Sequence, residues 1–99
     1  YDLAKVIVEI IMNSKNKFGL FHYSNEGEIS WFEFAKSIRE LYNLDCKIIG
    51  VSSKEFKTIA KRPKYSLLNK SKIKKTLNLE IPNYKQSLED CIKVIKNEA

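Results

Sequence analysis

Arg62 is the residue of this sequence best suited to gripping a ligand. Sixteen of the eighteen basic residues are lysine, yet an arginine stands directly before Pro63, within a stretch from Lys54 to Lys75 that holds nine of the eighteen bases and a single acid, Glu55. A guanidinium presents a planar fork that holds a phosphate through two parallel hydrogen bonds, which an ammonium cannot do. The competing reading is an ordinary surface arginine holding a loop carbonyl, on a lysine-rich face that is merely solvated.

Other residues with chemical capacity are read more plainly. Glu26 and Glu28 flank Gly27 in a spacing that invites acid/base work, but the polar turn Ser24-Asn25-Glu26-Gly27-Glu28 suits solvated loop acids. The single histidine, His22, sits inside the aromatic run Leu20-Phe21-His22-Tyr23 and is expected to be packed and hydrogen-bonded rather than a catalytic base. Trp31 could stack on a ligand or pack beside Phe34 and Ala35, and the two readings stand level. Cys46 and Cys91 lack CxxC spacing and are expected to be reduced core residues, with no metal site formed with His22. A dinucleotide cradle needs closely spaced glycines after a strand, and the three glycines at 19, 27 and 50 do not supply it. No catalytic, cofactor-binding or metal-ligating residue is therefore assigned to this chain.

The elements that must position Arg62 follow from periodicity. Leu3, Val6, Ile7, Ile10 and Ile11 recur at helical spacing, with Ala4, Val8 and Met12 widening the stripe into that of a largely buried helix. Polar Asn13 to Lys17 breaks it, and Gly19 introduces a short aromatic strand over Leu20 to Tyr23. Ser30-Trp31-Phe32-Glu33 is a capping box opening a helix with Trp31, Phe34, Ala35, Ile38, Leu41 and Tyr42 on one face, and Asn43 is a left-handed terminator. Lys47 to Val51 reads as a second strand covered on both faces, so strand, helix and strand predict a right-handed βαβ unit. A single helical turn over Lys54 to Phe56 precedes an irregular stretch to Pro63, which disfavours helix at Arg62. Tyr65 to Leu68 is expected to be extended. Ser71 to Leu77 is a short basic helix ending at Asn78, and Asn83 caps a last helix with Tyr84, Leu88, Cys91, Ile92 and Ile95 inward.

With 43% apolar and 30% charged residues the chain suits one soluble domain, residues 1–99, with a modest core. No apolar run approaches eighteen residues and no cleavable leader is visible, so a cytoplasmic product with no membrane partner is expected. The chain opens Tyr1-Asp2-Leu3 without an initiator methionine, which suggests an excised segment of a longer protein.

Several of these residues together resemble a known family. Gly19-Leu20-Phe21-His22-Tyr23-Ser24-Asn25-Glu26-Gly27, followed by Ser30-Trp31-Phe32-Glu33-Phe34-Ala35, is similar to a long motif of the dTDP-4-dehydrorhamnose reductases. Ala60-Lys61-Arg62-Pro63-Lys64-Tyr65-Ser66-Leu67-Leu68-Asn69 resembles a later block of the same family, and Asp2-Leu3-Ala4 the opening of the helix before the first motif. Tyr84 stands where the family has tryptophan and Asn78 where glycine is usual.

The resemblance implies an α/β fold: a small βαβ-containing C-terminal lobe of a Rossmann-type extended short-chain dehydrogenase/reductase. It implies reduction of dTDP-4-dehydro-L-rhamnose to dTDP-L-rhamnose for cell-surface polysaccharide. NADPH or NADH and the catalytic Tyr-x-x-x-Lys pair would belong to an N-terminal Rossmann domain, and Tyr1 with Lys5 matches that pair only by accident of spacing. Arg62 is the first residue expected to contact the sugar nucleotide, with Lys61, Tyr65, Ser66 and Asn69 as further candidates in its segment. The implied partners are a dTDP-sugar and the chain's own N-terminal domain, and a homodimer is left open. Two other classes compete, a non-catalytic regulatory relative and a basic nucleic-acid-binding domain. Against the latter, the aromatic residues are expected on core faces rather than among the lysines, so no nucleic-acid partner is foreseen.

Overall fold

Helix α1 (Asp2–Asn13) forms where the apolar stripe of the sequence places it, with Asp2 in the first turn, where a carboxylate complements the helix dipole. The structure, a computed structural model, describes residues 1–13 and 19–98. Beyond Asn13 the polar break expected through Lys17 lies outside those residues. Helix α2 (Trp31–Tyr42) opens on half of the expected capping box: Ser30 Oγ accepts from the Glu33 amide at 3.2 Å. It ends at Asn43, whose φ of 55° and ψ of 47° let its amide reach the carbonyls of Arg39 and Glu40. Helix α3 (Ser71–Leu77) stops in the same way at Asn78, and α4 (Tyr84–Glu98) starts with Asn83 Oδ1 accepting from the Lys85 amide.

The helices pack in two pairs, α1 against α3 and α2 against α4. Val6, Ile73 and Ile81 form the buried centre of the first pair, with Ile10, Phe21, Tyr23, Leu77 and Leu79 around it. In the second, Ile92 is buried on α4, and Lys96 donates to the Leu41 carbonyl at 2.8 Å, placing a cation at the negative end of α2. The radius of gyration is 16.9 Å, whereas a compact domain of about 100 residues has one of about 13 Å. The excess reflects an open outline of 49 × 38 × 20 Å.

The βαβ unit expected from the sequence does not form. Among the described residues the one bridge is isolated and parallel, between Glu26 and Asn83. Residues 20–23 and 47–51 are not laddered, because a strand requires a neighbour for its backbone groups and neither segment lies beside one. The Leu20 carbonyl instead accepts from Lys72 Nζ at 2.8 Å, and that ammonium lies 4.7 Å from the centre of the Phe21 ring.

Burial departs from expectation at several positions. Cys46 and Cys91 are both exposed free thiols rather than core residues, and His22 is exposed. On α1 only Val6 is buried, while Leu3, Ile7, Val8, Ile11 and Met12 face outward. The physical reason is shared: four small helices that pack chiefly in two pairs leave each helix one covered face, so apolar residues off that face have little to pack against among the described residues.

Candidate functional site

Residues 49–69 are exposed without interruption and form an arm between α2 and α3. At its near end Gly50 lies against the Phe32 ring, which a Cβ there would approach to 3.4 Å. The helical turn expected at 54–56 is present. The Ser52 carbonyl accepts from the amides of Glu55 and Phe56, and Glu55 Oε2 accepts from the Ser52 amide at 2.8 Å. Ser52 Oγ accepts from the Glu55 amide, so Ser52-Ser53-Lys54-Glu55 is a second serine-to-glutamate capping box.

Lys61, Arg62, Tyr65 and Ser66 follow along this arm, all exposed and, among the described residues, without a hydrogen bond or ion pair. Asn69 is different. Its Oδ1 accepts from the Ser71 amide at 2.9 Å and so serves the start of α3. The basic stretch thus divides in two. Lys70 and Lys74 face Glu26, and Lys72 is held by Leu20 and Phe21. Lys54, Lys57, Lys61, Arg62 and Lys64 of the arm have no protein partner among the described residues. Five cations without a protein partner among the described residues, beside one acid itself turned to Ser52, create a positive field, and Arg62 is the one of them with a planar guanidinium. Phe56 and Tyr65 are also exposed on the arm, which corrects the expectation that aromatic residues avoid the lysines.

The arm is rooted on a polar body that the sequence did not reveal. Asn25 Nδ2 donates to Asp2 Oδ2 at 2.9 Å and to Ser87 Oγ at 2.9 Å, and lies 3.3 Å from the Pro82 carbonyl; Ser87 Oγ donates in turn to Asp2 Oδ2. This ties α1, the 24–28 turn and α4 together. The neighbouring Glu26, expected to be solvated, pairs with Lys70 at 3.3 Å and with Lys74, while its backbone bonds both the Pro82 carbonyl and the Tyr84 amide. Lys70 Nζ donates to the Asn25 carbonyl at 2.8 Å. The signal available in sequence was the Ser24-Asn25-Glu26-Gly27 turn itself, whose partners lie 23 to 62 residues away.

The two carboxylates respond to these partners. The Ser87 hydroxyl, then the Asn25 amide, hold Asp2 below its ordinary value of 3.8. Lys74, then Lys70, hold Glu26 below 4.5 against the opposing effect of desolvation. Burial, then the Asp2 charge, push the Tyr23 phenol up. Because both acids have lower pKa values folded than unfolded, their stabilisation is complete above the ordinary values and is lost as pH falls through the folded ones. Carboxyl carbon NMR titration is expected to place both midpoints under 3.8 and 4.5 respectively. Midpoints at those ordinary values would show that the contacts do not persist in solution.

A groove of about 220 Å³ runs beside α1 between Asp2, Glu9 and Glu80, with Lys5 and Tyr23 on its walls. Three carboxylates against one ammonium repel a diphosphate, so the groove is not an alternative to the arm for that ligand. Trp31 is 87% exposed and meets Phe34 edge to face at 6.2 Å between ring centres, which leaves its outer face open. Among the described residues no three His, Cys, Asp or Glu side chains converge as a metal site, and no helix is long and apolar enough to cross a membrane.

The arm is thus basic, carries a single arginine and is rooted on a polar turn. The chain belongs to the RmlD substrate binding domain family, which matches it over residues 1–97. Relatives that it matches are named as dTDP-4-dehydrorhamnose reductases and as a spore coat polysaccharide biosynthesis protein. It is 36% identical over 73 residues to the dTDP-4-dehydrorhamnose reductase of Sinorhizobium fredii (strain NBRC 101917 / NGR234), covering 70% of this chain and 25% of that protein. It is 35% identical over 68 residues to the spore coat polysaccharide biosynthesis protein SpsK of Bacillus subtilis (strain 168), covering 69% and 23%. A dTDP-4-dehydrorhamnose reductase of Aggregatibacter actinomycetemcomitans is 26% identical over 100 residues, covering 90% and 34%. The chain therefore spans between 23% and 34% of the length of these curated relatives. No solved structure matches it.

Proposed function

We propose that this chain is the substrate-binding portion of a cytoplasmic, NAD(P)H-dependent dTDP-4-dehydrorhamnose reductase of the extended short-chain dehydrogenase/reductase class, reducing dTDP-4-dehydro-L-rhamnose to dTDP-L-rhamnose. The observation that carries the reading is the arm on which Arg62 and four lysines have no protein partner among the described residues, in a chain that the family matches over residues 1–97. The sugar nucleotide offers a diphosphate, the dianionic group such an arm neutralises. Lys61, Tyr65 and Ser66 lie within reach of the same ligand, and Asn69 contributes by fixing the arm's far end rather than by contact. The work of these residues is to hold the substrate: gripping its carrier end leaves its keto group presented to chemistry elsewhere and lowers KM without changing the chemical barrier.

The dinucleotide supplies the hydride, and this chain has no cradle for it: the three glycines stand apart, and Gly19 and Gly27 face Lys72 and Tyr84. Its binding belongs to an N-terminal Rossmann domain. The outward apolar residues of α1, Leu3, Ile7, Val8, Ile11 and Met12, provide a surface for that domain to cover. On this reading the 99-residue chain alone gives no NADPH oxidation with any keto-sugar nucleotide, followed at 340 nm, whereas the complete polypeptide does. Turnover by the chain alone would refute the division of labour.

A further inference from the structure

Lys70 is the one buried charged residue among those described, 6% exposed, and it occupies the N-cap of α3 without making a side-chain cap bond. Both facts run against local preference. Helix starts favour Ser, Thr, Asp or Asn, and a cation there opposes the helix dipole. A buried ammonium is costly unless paired. The compensation comes from outside the helix, from the Asn25 carbonyl at 2.8 Å and Glu26 Oε2 at 3.3 Å. Glu26 is itself fixed through its backbone to Pro82 and Tyr84 at the start of α4. Lys70 is also where the exposed arm ends, and its carbonyl accepts the bond from Lys74 that begins α3.

We propose that Glu26 and Lys70 are positioning residues for the anion site: their ion pair fixes the root of the basic arm, and through it the place where Arg62 meets a diphosphate. The proposal rests on the reading of the arm given above. Among the described residues, 63–68 carry no hydrogen bond into the body, so the direction in which Arg62 projects is set by the arm's two ends. The near end is a packed glycine and a capped turn; the far end is this pair.

The test uses the complete polypeptide with Glu26→Gln, Lys70→Met and Lys70→Arg. Spin labels on the exposed Cys91 and on Leu67→Cys, with Cys46→Ser, report the arm's spread of distances from α4. Glu26→Gln and Lys70→Met are expected to broaden that distribution at least twofold and to raise KM for the dTDP-sugar about tenfold with kcat unchanged, the pattern of lost ground-state binding. Lys70→Arg is expected to restore both. Combined with Arg62→Ala, Glu26→Gln should add less than a twofold further loss, because it acts through that arginine. An unchanged distance distribution overturns the proposal whatever the kinetics show. A broadened arm together with full additivity with Arg62→Ala overturns the coupling to Arg62. If Arg62→Ala alone has no effect, the anion reading fails, and the distance distributions still decide whether the pair roots the arm.

Discussion

Gly27→Ala is expected to cost about 3 kcal/mol of folding free energy, combining backbone strain of about 1–3 kcal/mol with overpacking of similar size. Gly27 has a φ of 109°, which side-chain-bearing residues rarely adopt. A Cβ there would stand 2.6 Å from Cδ1 of Tyr84 and 3.1 Å from the Asn83 side-chain nitrogen. Neither neighbour is free to yield, since Tyr84 donates its amide to the Glu26 carbonyl and Asn83 caps α4. Gly50→Ala is the control: φ there is not positive and its Cβ would meet the Phe32 ring at an ordinary 3.4 Å, so a loss under about 0.5 kcal/mol is expected. Urea midpoints of the two variants in the complete protein check the contrast. Equal midpoints would mean that the turn relaxes away from Tyr84.

Arg62→Ala is expected to weaken dTDP-sugar binding by about 1.5–3 kcal/mol, the scale of a charge-assisted hydrogen bond, or roughly 10- to 150-fold in affinity. Arg62→Lys keeps the charge and loses the fork, and should fall between the two. Calorimetry with dTDP measures both, and unchanged affinity in Arg62→Ala removes this residue from the site. The exposed Phe56 and Tyr65 beside the arm's lysines make nucleic acid the competitor to exclude. A thymidine oligonucleotide binding more tightly than dTDP, with affinity falling steeply as salt rises, would favour that class instead.

What the sequence made legible was local. Ser30 and Asn43 bound α2, Asn78 ends α3 and Asn83 opens α4, because caps and left-handed terminators depend on a few adjacent residues. The Ser52 to Phe56 turn belongs to the same group. What failed was non-local. The aromatic run at 20–23 and the apolar run at 47–51 have strand composition, but a ladder requires a partner that these residues do not meet. Cys46, Cys91 and His22 were placed in a core by their apolar neighbours, yet Phe21, Tyr23 and Ile92 turn inward while these three side chains are exposed. Glu26 looked like a solvated loop acid because nothing in its own turn announces Lys70 or Lys74. Arg62 was legible as an outlier of residue type, and among the described residues it meets no protein partner.

The bond between Ser87 and Asp2 joins residues 85 positions apart. During synthesis α1 therefore leaves the ribosome well before its clasp exists. At an elongation rate of about 5–20 residues per second the interval is roughly 4–17 s. Val6, buried in the finished fold with Ile73 and Ile81, lacks those covering residues until they emerge, so the order of emergence decides when its exposure closes.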